Sequence, residues 1–184
     1  MESQNNQLNQ EKLKELVLYI CQQANQKDFG ATKLNKILWF ADRTAYLTYG
    51  SSITGETYVK RQFGPAPKHL LRMQDELIAA KRLETREVQH FGKIRREFRA
   101  LSPVDFSHFS AGEISLVDEI IQIICDKFTA RSISEASHDD IWEMAQMGEE
   151  IPYCTVFADE LGEIDDADMR WANSVIAGNG VAHA

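Results

Sequence analysis

The stretch Ser137-His138-Asp139-Asp140-Ile141-Trp142-Glu143 holds the side chains most suited to chemistry in this chain. An imidazole beside two carboxylates has the makings of a metal site or an acid–base pair. Adjacent residues at a helix start point in different directions, however, and acids there complement the helix dipole without any catalysis. Other reactive signatures are missing. No G-x-S-x-G elbow occurs, no cysteine carries the flanking residues of a thiol enzyme, and neither glycine-rich phosphate motif is present. The three cysteines, Cys21, Cys125 and Cys154, are far apart, and no C-x-x-C spacing exists. Cys21 and Cys125 fall on apolar helical stripes, so all three read as reduced thiols rather than zinc ligands. The sequence therefore predicts no catalytic residue, no metal and no cofactor.

Two other groups of residues suit binding. Arg86, Lys93, Arg95, Arg96 and Arg99 crowd one stretch, with Lys81 and Arg82 just before it and Lys60, Arg61, Lys68 and Arg72 upstream. A helix followed by a basic two-stranded wing is how winged-helix proteins meet DNA. The same cations also fit a solvated face neutralised within the chain, or a docking surface for an acidic protein patch. Tyr58 and Phe63 lie in a glycine-containing segment, where exposed aromatics make interface anchors and enclosed ones pack under their own loop.

The elements that must position these groups are mostly helical. Leu13, Leu16, Val17, Ile20, Cys21 and Ala24 mark one helix face, preceded by a polar tail over residues 1–10. From Thr32 to about Tyr49 apolar residues occupy most sides, the mark of a central helix, and Gly50 is a stop signal. Residues 50–65 read as a connection, with Pro67 in the first turn of a third helix that continues to about Arg82. Two alternating stretches, Leu83 to His90 and Lys93 to Leu101, flank Phe91-Gly92 as a β-hairpin. Ser110 and Glu113 form a capping box that opens a long helix to Phe128. Shorter helical pieces follow after Ser132 and from about Asp139 to Met147, and a last helix is expected over residues 165–176. The predicted fold is mainly α with a small β-hairpin (α+β): a single-domain helical bundle with a winged-helix-like hairpin.

A chain of 184 residues with 43% apolar composition can close one core. No apolar run approaches the ~18 residues of a membrane span, and no cationic patch followed by an apolar segment opens the chain. These features predict a cytoplasmic protein without membrane contact. The net charge of −8 is unevenly spread. Residues 101–184 carry 17 acids against 3 bases, whereas residues 1–100 carry 17 bases against 11 acids. Such polarity favours charged partners and leaves the fold open.

Three motifs in order carry a resemblance. Thr32-Lys33-Leu34-Asn35-Lys36-Ile37-Leu38-Trp39-Phe40-Ala41-Asp42 is the first. Ser52-Ile53-Thr54-Gly55-Glu56-Thr57-Tyr58 with Phe63-Gly64-Pro65-Ala66-Pro67 is the second. Ser134 to His138 with Trp142, then Gly148-Glu149 and Ile151-Pro152-Tyr153, is the third. Together they resemble the Panacea domain, the SocA-like and phage-associated GepA-like antitoxins, over residues 11–157, with 158–184 as an acidic C-terminal extension. The resemblance implies an antitoxin of a toxin–antitoxin system. Its expected partner is a cognate toxin protein held by direct binding, with delivery to a cytoplasmic protease as one route in the family. It also carries over partner-binding candidates: Tyr58, Arg61, Phe63, Gly64 and Pro65 in the loop, and His138 with Trp142, which lie one helical turn apart. Nucleic-acid binding through Arg86, Lys93, Arg95, Arg96 and Arg99 is the alternative. The toxin's identity and the oligomeric state are not written in these residues.

Overall fold

Residues 2–23 contain neither glycine nor proline, and in a computed structural model, which describes residues 2–24, 29–90, 92–157 and 170, they form one helix, α1 (Glu2–Gln23). The stretch expected to be a loose polar tail is thus helical from Glu2. Glutamine, glutamate, lysine and leucine are good helix formers, and once the apolar stripe from Leu13 is docked each further residue adds a bond without a new nucleus. The stripe is wholly enclosed: Leu16, Val17, Leu18 and Ile20 are 0% exposed. Burial pushes the Cys21 thiol up to about 12, which makes it an unreactive core residue.

The central helix is α2 (Ala31–Tyr49), with Leu34, Ile37, Leu38, Trp39 and Ala41 fully buried. Gly50 ends it in the left-handed conformation at φ 74°, donating its N–H to the Tyr46 carbonyl. Helix α2 packs against α1 and against two later helices, α4 (Ala111–Lys127) and α5 (Ala130–Glu135). The capping box at the start of α4 is formed: Ser110 N–H donates to Glu113 Oε2 at 2.7 Å and Glu113 N–H to Ser110 Oγ at 3.2 Å. A last short helix, α6 (Asp140–Met144), is capped by Asp139, which accepts from Trp142 N–H at 2.8 Å.

The connection expected over residues 50–65 holds a second, smaller hairpin. Strands β1 (Tyr58–Arg61) and β2 (Gly64–Pro67) pair antiparallel from Tyr58↔Pro67 to Arg61↔Gly64, around the two residues Gln62 and Phe63. Pro67 therefore closes a strand instead of opening a helix, and α3 starts three residues later (Leu70–Ala79). Prolines are tolerated because β2 is an edge, where a missing N–H breaks no ladder bond. The other side of β1 is occupied by residues 148–151. Lys60 N–H donates to Glu149 O at 2.8 Å, Gly148 N–H to Lys60 O at 3.0 Å and Ile151 N–H to Tyr58 O at 2.8 Å. The longer hairpin, β3 (Leu83–His90) with β4 (Lys93–Ala100), lies where alternation predicted it, anchored through buried Leu83 and Phe98.

A buried ion pair ties the first helix to the turn before β3. Arg82 donates to both oxygens of Glu15, at 2.7 and 3.0 Å, and Asp105 N–H donates to Glu15 at 2.9 Å. The fold is mainly helical with small antiparallel hairpins. The chain divides into two units, residues 1–153 and 154–184. Within the second, the acidic run Asp159, Glu160, Glu163, Asp165, Asp166 and Asp168 lies outside the described residues. So does the helix expected over 165–176, apart from helical Arg170. Among the described residues no helix is long and apolar enough to cross a membrane.

Candidate functional site

Asp42 organises the middle of the molecule. It sits on α2 with 0% exposure, and three donors converge on it: Thr54 N–H at 2.8 Å, Thr54 Oγ1 at 2.5 Å and the Tyr58 hydroxyl at 2.8 Å. Burial outweighs these donors and pushes its carboxyl up to about 6. Tyr58 is 1% exposed, its ring 4.9 Å from that of Trp39. Tyr153 donates to the Glu56 carbonyl and stacks on Tyr46 at 5.6 Å. His69 Nδ1 lies 2.9 Å from the buried Glu56 carboxylate. Asp42, Thr54, Tyr58, Glu56 and Tyr153 are all bonded inside the fold, so the Ser52–Tyr58 motif fixes the start of β1. Tyr58, expected among the partner-binding residues, belongs to this scaffold.

The turn between β1 and β2 is clamped from beneath. Lys36 Nζ donates to Pro65 O at 2.9 Å, and Ser134 Oγ donates to Phe63 O at 2.8 Å. Ser137 Oγ donates to Ser134 O at 2.7 Å, closing the set. Gly64 adopts φ 97°, and a Cβ there would lie 2.2 Å from Ser137 Oγ and 2.3 Å from Lys36 Nζ. Only glycine satisfies both the left-handed backbone and this approach. Burial lowers Lys36 to about 7. Gly64 and Pro65 are accordingly buried members of the clamp, while Phe63 is thrust outward at 60% exposure.

His138 and Trp142 form a second support. Their rings stack 3.7 Å apart at 4°, with His138 placed just before the Asp139 cap and folded back over the first turn of α6. Lys60 Nζ sits 4.3 Å from the Trp142 ring and donates to Glu143 O and Ala145 O, each at 3.0 Å. His138 Nε2 and Trp142 Nε1 have no hydrogen-bond partner among the described residues. Stacking and the cation over the indole therefore hold the pair. Burial and the Lys36 charge depress the His138 pKa. Among the described residues no group of three His, Cys, Asp or Glu side chains is placed to hold a metal ion.

Two open grooves meet at Phe63. One of about 850 Å³ runs between the first turn of α2, the start of β4 and α5. The other, of about 550 Å³, runs between the same turn of α2, the β1–β2 turn and α3. Phe63 and Arg96 border both grooves, with Ile94 in the first and Leu71 and Arg61 in the second. Ile94 is 65% exposed and Leu71 69%. Sequence reading assigned these two to a strand face and a helix stripe and did not single them out. Their only signal is that Leu71 stands beside Leu70, so one of the two must leave the buried face.

The basic hairpin is largely neutralised within itself. Arg86 pairs with Glu97 at 3.1 Å, Arg95 with Glu97 at 2.6 Å and Arg99 with Glu84 at 3.9 Å. The side chain of Lys93 lies outside the described ones. Arg96 differs: it is exposed and, like Arg61, has no ion-pair or hydrogen-bond partner among the described residues. Of the residues expected to bind a partner, the structure brings Arg61 and Phe63 to one surface. It places Tyr58, Gly64 and Pro65 beneath that surface, with His138 lining the larger groove and Trp142 stacked on it.

Comparison with known proteins agrees with this frame. A family model described as "Antitoxin SocA-like, Panacea domain" matches residues 34–143, from the first turn of α2 into α6. No curated protein and no solved structure matches. The matched span covers most of the chain and holds Asp42, Tyr58, the clamped turn and the His138–Trp142 stack, and the chain belongs to the SocA-like antitoxin family built on the Panacea domain.

Proposed function

We propose that the protein neutralises a cognate toxin by direct, non-catalytic binding in the cytoplasm, and that the face around Phe63 makes the contact. The observation that carries this reading is a large aromatic side chain held outward on a turn whose backbone is clamped by Lys36 and Ser134, with Ser137 bonded in turn to Ser134. An exposed ring normally costs little and means little. Here two buried donors, one of them a lysine with no carboxylate on its Nζ among the described residues, fix the turn that presents it. A pre-ordered anchor loses less conformational entropy on binding, which is how a few residues come to dominate an interface. Family membership supports the kind of partner, and the absence of any grouped reactive side chains among the described residues fits holding better than chemistry.

The test is co-expression of the full chain with the product of the adjacent gene. A stable complex and restored growth support neutralisation; neither complex nor rescue removes it. Toxin half-life separates simple holding from hand-over to a protease: holding leaves the half-life unchanged or longer, and hand-over shortens it. DNA binding draws less support from the hairpin, since Arg86, Arg95 and Arg99 spend their charge on Glu84 and Glu97.

A further inference from the structure

The two grooves that meet at Phe63 are bordered by both paired and unpaired cations. Lys68 and Arg131, which also border them, are paired, with Glu150 and Glu135, both at 2.8 Å. Arg61 and Arg96 are not paired among the described residues, and Arg96 stands where the grooves join. Between and beside these two cations lie three well-exposed apolar side chains, Phe63, Leu71 and Ile94. No acid lies in the first turn of α2, which forms the common wall.

We infer that this double groove receives an acidic, apolar-studded segment of the partner protein, whose carboxylates pair with Arg61 and Arg96 while its apolar side chains cover Phe63, Leu71 and Ile94. The partner is the one the neutralisation reading supplies, so the inference rests on that reading. Charge complementarity sets the sign of the segment: two unpaired guanidinium forks favour carboxylates, bidentate where geometry permits. The apolar content sets its class. A nucleic-acid backbone would want a row of free cations and would gain nothing from Leu71 and Ile94. A protein segment buries the apolar groups and needs only the two charges.

The charge of this segment is opposite to the one the acidic C-terminal half suggests by itself. That half would steer a basic partner, whereas the groove around Phe63 selects a local acidic stretch. A toxin of basic overall charge with one acidic segment satisfies both.

The experiment uses the full chain and a short fluorescein-labelled peptide alternating glutamate with leucine, with glutamine and lysine versions and a short DNA duplex as comparators. The expected result is saturable binding of the glutamate peptide, weakened by salt, at least about tenfold tighter than either other peptide or the duplex. Arg61→Glu with Arg96→Glu abolishes that preference, Phe63→Ser weakens binding at least about tenfold, and Lys127→Glu on the far helix changes nothing. Neither arginine side chain has a hydrogen-bond or ion-pair partner among the described residues, so an unchanged melting curve is expected to accompany the loss. Equal binding of all three peptides, unchanged binding by the double arginine variant, or a preference for the duplex overturns the inference. The growth-rescue assay separates the two readings. Rescue retained by the double variant leaves neutralisation standing and removes the groove, whereas failed rescue by the natural chain removes neutralisation while the peptide still tests the groove.

Discussion

Tyr58 and Phe63 stand five residues apart on one small hairpin and do opposite things. Tyr58 is 1% exposed, bonded to a buried carboxylate and ringed by Trp39 and Tyr153, whereas Phe63 is 60% exposed and touches the clamp only through its backbone carbonyl. The family motif runs through both. Much of it therefore specifies a frame, and a small remainder is presented by the frame to the outside. The difference teaches that a motif shared within a binding family can report how a surface is built without touching what it binds.

The largest effect is expected at the frame. Asp42→Ala leaves the Thr54 N–H, the Thr54 hydroxyl and the Tyr58 hydroxyl without an acceptor, at about 1–3 kcal/mol each. A loss of about 4 kcal/mol in denaturant unfolding is the outcome expected, and a loss below about 1 kcal/mol would mean that the network contributes little. The sign of the pH response follows from the same carboxyl. Its folded pKa, about 6, lies above the ordinary aspartate value of 3.8, so the folded state holds the proton more tightly. Stability contributed by this group falls as pH rises from about 4 through about 6, and Asp42→Asn flattens that stretch of the profile.

Gly64→Ala comes next. Left-handed backbone costs a side chain about 1–2 kcal/mol, and forcing a methyl against Ser137 and Lys36 adds about 1–3 kcal/mol. A drop of about 3 kcal/mol in stability, with partner binding lost because the turn is displaced, is read by melting together with pull-down. Wild-type behaviour would show that the clamp yields.

Phe63→Ala inverts that pattern. Stability stays within about 0.5 kcal/mol, because the ring buries little. Toxin binding weakens by about 2 kcal/mol, roughly thirtyfold in dissociation constant, the range of an interface anchor. If binding is untouched, the comparison with Tyr58 loses its functional half. The smallest effect belongs to the outer face of the long hairpin. Arg86→Ala and Arg99→Ala remove exposed ion pairs and shift stability by less than about 0.5 kcal/mol, with no change in toxin binding by calorimetry. A loss of binding there would move the interface onto the hairpin and restore the basic stretch as a recognition element.

What was legible in the sequence was what local physics writes down. The apolar stripes of α1 and α2, the glycine stop after Tyr49, the capping box at Ser110 and the alternating hairpin from Leu83 all depend on neighbours within a few positions, and all are present. The β1–β2 hairpin escaped because Pro65 and Pro67 argue against strands and because its partner on the far side, residues 148–151, is distant in sequence. The scaffold role of Tyr58 escaped for a related reason: nothing near residue 58 reveals that Asp42 waits sixteen positions earlier inside the core. Arg95 and Arg96 look equivalent as letters. Alternation places Arg95 on the face of Glu97 and Arg96 on the opposite face, but that both border one groove is decided by the distant α2 and α5.

The backbone bonds from residues 58–60 to 148–151, and those from Ser134 to the turn, join segments that leave the ribosome at different times. Synthesis adds about 5–20 residues each second, so the turn carrying Phe63 emerges roughly 4–17 s before the strand that flanks it. During that interval the hairpin lacks both its outer neighbour and the serine that holds its carbonyl. The surface around Phe63 is therefore complete only once residues 148–151 have been made, and no shorter nascent chain presents it in its final form.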